Sequence, residues 1–177
     1  LTKNSDFPVI LCGDSAGGNL AAAVAHALRS ETESIIGQLL IYPSLGPNTG
    51  KGSYEIHALA PMLTSDDIKF YLKSRSGRQI ENMSPDKTLF PLLDDDFFNL
   101  PPTAVITADC DPLLDDGKNY TSLVKAAGGL ALWVNEEGLV HGFLRARREV
   151  EGASSSFKRI IRLLLMLGKK EWTMTKK

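Results

Sequence analysis

No apolar run in this chain approaches the roughly 20 residues that a bilayer-crossing helix needs. The longest near the C-terminus, Leu163 to Leu167, gives way to Lys169 and Lys170, so the expectation is a soluble chain with no membrane span. An excess of one charge is also lacking: 20 Lys+Arg stand against 21 Asp+Glu, scattered for a net charge of −1. That removes the basic stripe on which nucleic-acid affinity rests and favours a small, uncharged partner. Cysteine is scarce. Cys12 and Cys110 are the only two, with neither a metal-ligand spacing nor a disulfide pattern, so each is expected to pack as a small apolar side chain in a reducing compartment, the cytoplasm. Leu1 to Phe7 lack an initiating Met and an apolar signal core, and the expectation is that sequence upstream has been removed. What is present, 43% hydrophobic and 23% charged residues over a length of 177, suits one globular domain spanning 1–177 and argues against disorder, collagen or a coiled coil.

Buried strands and amphipathic helices alternate along the chain. Phe7 to Cys12 is a short apolar run between Pro8 and Gly13, and Gly37 to Tyr42, Thr103 to Ala108 and Leu130 to Val134 repeat the pattern. Between them, Leu20, Val24 and Leu28 place an apolar stripe on an Ala-rich helix over 16–30. Asp111 to Ala127 reads as a helix with Pro112 at its first position and Gly128 as its stop. Phe157, Ile160, Ile161, Leu164 and Leu165 give the helical period from Glu149 to Gly168. Such alternation predicts an α/β protein with a parallel sheet covered on both faces. Pro43 to Leu100 breaks the alternation, being far longer than a usual connection. It carries turn residues and a short helix capped by Thr64 or Ser65 and running to Lys73, and reads as a cap-like insertion, 43–100, over a site.

The first strand runs into Gly13-Asp14-Ser15-Ala16-Gly17-Gly18-Asn19-Leu20 and then into a helix, which is G-x-S-x-G in strand–turn–helix context. The sharp turn exposes the Ser15 hydroxyl, with Gly13 and Gly17 expected to relieve clashes with the neighbouring strand and helix. Asp14 either stiffens the turn or is a surface carboxylate. The helix N-terminus and the Ala16 N–H can stabilise an oxyanion formed when Ser15 attacks a carbonyl. A serine needs a histidine base, and the base needs a carboxylate to orient it. Of 3 histidines, His26 is expected on the polar side of its helix and His57 in solvent within the insertion. His141 follows the fourth strand, at the C-terminal end of the sheet where parallel sheets place their sites. Asp111 follows the third strand, with Asp109 as the competing acid, and the order Ser15, Asp111, His141 is that of an α/β-hydrolase.

Together Gly13-Asp14-Ser15-Ala16-Gly17-Gly18-Asn19-Leu20, Asp111-Pro112-Leu113-Leu114-Asp115-Asp116-Gly117 and His141-Gly142-Phe143 resemble the hormone-sensitive-lipase family of α/β-hydrolase esterases. Tyr42-Pro43, Leu63-Thr64 and Leu100-Pro101-Pro102-Thr103-Ala104 extend the likeness. The resemblance implies the later half of an α/β-hydrolase fold, with four strands, flanking helices and part of a cap. It implies a carboxylesterase with Ser15 as nucleophile, Asp111 as acid and His141 as base, acting without metal or organic cofactor on a small-molecule ester of short to medium chain. Gly18 joins Gly13, Asp14 and Gly17 as support for the turn. The family's His-Gly-Gly-Gly oxyanion loop has no counterpart here, and neither do its first four strands. The first strand should then have an unpaired apolar edge.

The same three residues would also serve amide, lactone or thioester cleavage or acyl transfer, and a binding-only or inactive fragment is the rival outside catalysis. The strand at 130–134 is expected at the other sheet edge, a route to a homodimer, while the first strand could associate with a missing N-terminal segment. Gly46 to Ser53 fails the spacing of a phosphate loop. Asp94-Asp95-Asp96 reads as a solvated turn, and the tripeptides at Asn82 and Asn119 as chance glycosylation matches. Phe70, Tyr71 and Leu72 line an acyl pocket or pack the core of the insertion.

Overall fold

The computed structural model describes residues 7–31, 33–47, 50–77 and 86–171. The tripeptide at Asn82, and Asn48 and Thr49 of the loop before Ser53, lie outside them. Four strands, β1 (Val9–Asp14), β2 (Ile35–Ile41), β3 (Thr103–Cys110) and β4 (Ala131–Val140), pair in parallel in that order. Helices α1 (Ala16–Leu28), α4 (Leu114–Ala126) and α5 (Glu151–Gly168) alternate with them, while α2 (Ser53–Ile56) and α3 (Ser65–Ser76) lie between β2 and β3.

Side chains of the central strands alternate between two cores, as the pleat requires. Leu40 and Val105 join Ala21, Ala22 and Ala25 of α1 and Tyr120 and Val124 of α4 on one face. Leu39, Ile41, Ala104, Ile106 and Ala108 meet Ile160, Leu163 and Leu167 of α5 on the other. Both faces are covered, so β2 and β3 read as unbroken apolar runs. Each fully buried Leu or Ile contributes on the order of 1.5–3 kcal/mol, and the two faces make the sheet a rigid platform.

Three local expectations are corrected. On α1 the stripe Leu20, Val24, Leu28 does not face the sheet: Leu20 is 56% exposed, and the buried face is Gly18, Ala21, Ala22 and Ala25. Small residues let the helix approach the sheet closely, and at Gly18 a Cβ would come within 2.8 Å of Pro43. Helix α4 begins at Leu114, not near Asp111. The Asp111 carboxylate accepts the Leu113 N–H at 2.9 Å and its carbonyl the Leu114 N–H at 3.1 Å, so Asp111 to Leu113 form a turn that leaves the acid outside the helix. Strand β4 runs on to Val140, past a register shift between Ala108 and Cys110. Smaller differences are that β1 ends at Asp14, β2 starts at Ile35 and α5 starts at Glu151.

The insertion has its own small core. Thr64 caps α3: its hydroxyl accepts the Asp67 N–H, and the Asp67 carboxylate accepts the Thr64 N–H. This reciprocal pair satisfies two donors that a helix start otherwise leaves open. Tyr54, Leu63, Ile68, Leu72, Leu89 and Phe90 then pack against Leu113, so the insertion sits beside the turn that carries Asp111. Among the described residues β1 and β4 are the sheet edges. Cys12, expected to be packed, is exposed on β1 and free, on a strand that is a sheet edge among the described residues.

Candidate active site

A single residue, Ser15, separates β1 from α1. Its φ of 54° and ψ of −119° put a residue with a Cβ where L side chains rarely sit, at a cost of roughly 1–3 kcal/mol. The surroundings hold it there: the Ser15 N–H donates to the Ile41 carbonyl at 2.9 Å, and the Asn19 N–H donates to the Ser15 carbonyl at 3.1 Å. At Gly13 a Cβ would drive into the Gly17 backbone, and at Gly18 into Pro43. At Gly17 a Cβ would meet nothing closer than 4.0 Å. The demand for small residues therefore falls on Gly13 and Gly18, which corrects the expectation at Gly17. The Asp14 carboxylate accepts the Tyr42 hydroxyl at 3.3 Å, bracing the turn against the end of β2. The first N–H groups of α1, Ala16 among them, lack intrahelical acceptors, and their dipoles point at the serine.

Three strand ends converge on that hydroxyl. His141, beyond β4, lies with Nε2 2.9 Å from Ser15 Oγ and Nδ1 2.7 Å from Asp111 Oδ2. A carboxylate only accepts, so Nδ1 carries the proton and the bare Nε2 accepts from the Ser15 O–H. Asp111 is fully buried and His141 is 8% exposed, which keeps water from competing for the pair. Tyr42 packs on the imidazole, ring centroids 4.7 Å apart, and on Phe143 at 5.1 Å. Burial, aided by the Asp14 charge, pushes the Tyr42 phenol up, so it stays neutral there. Asp109 points elsewhere: the Asn135 amide donates to it at 2.7 Å and the Gly138 N–H at 3.2 Å. Those bonds hold its carboxyl below the ordinary range.

Beside the serine lies a cavity of about 220 Å³ lined by Ser15, Ala16, Ser44, Leu63, Ile68, Tyr71, Leu72, Leu113 and Arg75. Leu72 thus serves both the small core of the insertion and the cavity, whereas Phe70 is 63% exposed and meets the Tyr71 ring edge-on. Among the described residues no group of His, Cys, Asp and Glu could hold a metal ion.

The other histidines stand apart. His57 is half-buried beyond α2. His26, expected on the surface, is buried: its Nδ1 lies 2.8 Å from Asp94 Oδ2 and its Nε2 3.1 Å from the Tyr120 hydroxyl. Asp94, expected in a solvated turn, has a side chain only 5% exposed and also binds Arg29 and Lys87. Long-range pairing over more than 60 residues leaves no local sequence signal for either. Sequence reasoning also missed Asp116, whose carboxylate accepts the Leu45 and Gly46 N–H groups at 2.7 and 2.9 Å and the Tyr54 hydroxyl at 3.0 Å. It pins the loop after β2 and the insertion to α4; an acid on the inner face of an amphipathic helix was the available clue.

Residues 3–145 match a family described as having the alpha/beta hydrolase fold. The carboxylesterase NlhH of Mycobacterium tuberculosis is 33% identical over 150 residues, covering 84% of this chain and 47% of that protein. Of solved structures, EstE1, a thermophilic carboxylesterase cloned from a metagenomic library, is 34% identical with a TM-score of 0.76, over 84% of this chain and 51% of that one. Vibralactone cyclase is 27% identical with a TM-score of 0.81, over 94% of this chain and 51% of that one. The chain therefore spans about half the length of the relatives it matches. With the matched family model, these relatives and the parallel sheet in agreement, the chain belongs to the α/β-hydrolases, among the hormone-sensitive-lipase-like esterases.

Proposed function

We propose that the protein hydrolyses carboxylic esters through an acyl-enzyme on Ser15. The observation that carries this reading is the unbroken line from Ser15 Oγ through His141 to Asp111, at 2.9 and 2.7 Å. Ser15 Oγ forms a bond to the ester carbon while its proton passes to His141 Nε2. The Ala16 N–H stabilises the resulting oxyanion, and Asp111 holds the charged imidazolium in place. The tetrahedral adduct collapses, the bond to the alcohol oxygen breaks, and His141 returns the proton to that oxygen. Water, activated by the same histidine, then releases the acid and restores Ser15. A cavity below the roughly 300–1,000 Å³ of drug-sized sites supports esters of short to medium chain.

Lactone chemistry is the second reading, favoured by the likeness to a protein named vibralactone cyclase. It uses the same acyl-enzyme with a hydroxyl of the substrate in place of water, and a panel containing lactones and an alcohol acceptor separates the two. Two further assignments are the cytoplasm, supported by the free thiols of Cys12 and Cys110, and a homodimer through the open edge of β4, to be measured by light scattering.

The test is intact mass before and after treatment with a fluorophosphonate, beside turnover of a chromogenic short-chain ester. A single adduct on Ser15, with turnover abolished in Ser15→Ala, is expected. Turnover by Ser15→Ala at the parent rate would sink the proposal.

A further inference from the structure

We propose that Arg75 makes the cavity beside Ser15 selective for esters whose chain carries a carboxylate. The inference rests on the ester-hydrolase reading and names the substrate class within it. Every other described side chain lining that cavity is apolar or uncharged, so among the described residues Arg75 supplies its one charge.

The position of that charge is built rather than incidental. Arg75 Nη1 donates to Asn19 Oδ1 at 2.7 Å. Asn19 is 2% exposed, and its amide donates to the Ser44 carbonyl at 2.7 Å and the Leu89 carbonyl at 2.8 Å. Both amide protons are thereby committed, which fixes the oxygen that orients the guanidinium. The anchor is neutral, however, and among the described residues it leaves the guanidinium without an ion-pair partner. Arg29, by contrast, meets Asp94 and Asp96, each at 3.0 Å, and Arg159 meets Glu136 at 3.2 Å.

Among the described residues no carboxylate comes within ion-pair distance of Arg75. Asp86 senses its field, but Thr88 is the group that holds that acid. A guanidinium presents five donors in a planar fork that matches a carboxylate, and here one is used by Asn19. A chain that enters the apolar cavity from Ser15 and ends in a carboxylate would bury its methylenes against Leu63, Ile68 and Leu113 and present its charge to that fork. With about 220 Å³ of space, the fitting substrates are half-esters of short dicarboxylic acids.

The experiment compares p-nitrophenyl hemisuccinate with its neutral methyl ester, as a ratio of kcat/KM, in the parent, Arg75→Gln and Arg75→Lys. The expected ratio favours the hemisuccinate in the parent, falls about five- to tenfold in Arg75→Gln and is only partly restored in Arg75→Lys, which keeps the charge but not the fork. It should also shrink with added salt, because Arg75 is exposed, a dependence that a purely structural role would not produce. A ratio unmoved by Arg75→Gln overturns the proposal while leaving ester hydrolysis standing. Calorimetric binding of monomethyl succinate to Ser15→Ala and to Ser15→Ala/Arg75→Gln reads recognition without turnover. Binding that depends on Arg75 in a chain without esterase activity would keep the selectivity and discard the hydrolase reading. Binding that does not depend on Arg75 would overturn the selectivity.

Discussion

Two histidine–aspartate pairs lie among the described residues, and locally they are nearly the same. His141 Nδ1 meets Asp111 at 2.7 Å and His26 Nδ1 meets Asp94 at 2.8 Å, and each ring offers Nε2 to a hydroxyl, Ser15 at 2.9 Å and Tyr120 at 3.1 Å. The third partner separates them. Ser15 sits on a strained turn at a helix start, beside an apolar cavity. Tyr120 is fully buried, takes a hydrogen bond from the Gln38 amide at 3.2 Å, and its phenol is pushed up by burial. Asp94 also serves Arg29 and Lys87, whereas Asp111 is bonded by the Leu113 N–H and His141. A histidine–carboxylate pair is thus a structural unit, and what its far nitrogen touches decides whether it can do chemistry.

The largest expected effect breaks one pair and compares it with the other. Asp111→Asn should lower ester turnover about 10⁴-fold, because an amide can present its N–H₂ to Nδ1 and stabilise the wrong tautomer. Asp94→Asn should leave turnover within a few-fold of the parent and instead lower unfolding free energy by roughly 2–3 kcal/mol, measured in urea. Equal losses of activity in the two variants would erase the distinction drawn between the pairs.

The next effect uses a buried carboxylate that has no histidine. Burial is the main cause pushing the Asp116 carboxyl up to about 6, against the hydrogen bonds from Gly46, Leu45 and Tyr54. An unfolded aspartate ionises near 3.9. Between those values the unfolded chain loses its proton first, so this group's contribution to stability is full below about 4 and declines as pH rises to about 6. The loss is on the order of 3 kcal/mol. Asp116→Asn lacks that decline, so the stability of the variant relative to the parent should rise between pH 4.5 and 7.5. A constant difference across that range would show that Asp116 does not titrate there.

One pair was legible in the sequence and the other was not because of where the chain places them and not because of distance along it, since the Ser15–His141 contact spans more of the chain than His26–Asp94. Ser15, Asp111 and His141 each sit at a strand end marked by local glycine, proline or aspartate chemistry, and a parallel sheet brings strand ends together. β2 and β3 were legible because burial on both faces writes itself into apolar runs, and α5 because its one buried face repeats at the helical period. The inner face of α1 was misread because close packing selects Ala and Gly, which carry little hydrophobic signal, while Leu20 faces outward at 56% exposure. His26 and Asp94 belong to different segments and meet only through tertiary packing; the turn at Asp94 was visible in the sequence, but nothing in it pointed to a buried partner on α1. Asp116 was hidden in the same way, since its partners are backbone N–H groups of a distant loop.

The smallest expected effect tests His26 alone. Burial lowers its pKa, and this desolvation outweighs the opposing hydrogen bond and charge of Asp94. The folded chain therefore resists protonating this ring, while an unfolded histidine takes its proton near 6.5. Below that pH the unfolded state binds the proton first, so the stability contributed by neutral His26 is full above about 6.5 and is lost as pH falls towards the lowered folded value. The sign is opposite to that of Asp116, and the two overlap in mild acid, so a raw stability profile would mix them. The difference between the parent and His26→Gln isolates the histidine, because Asp116 is common to both. That difference should shrink on going from pH 7.5 to 5.5 in urea unfolding. If it widens instead, Asp94 is stabilising an imidazolium, and the second pair is an ion pair rather than a neutral hydrogen-bonded chain from Gln38 through Tyr120 to Asp94.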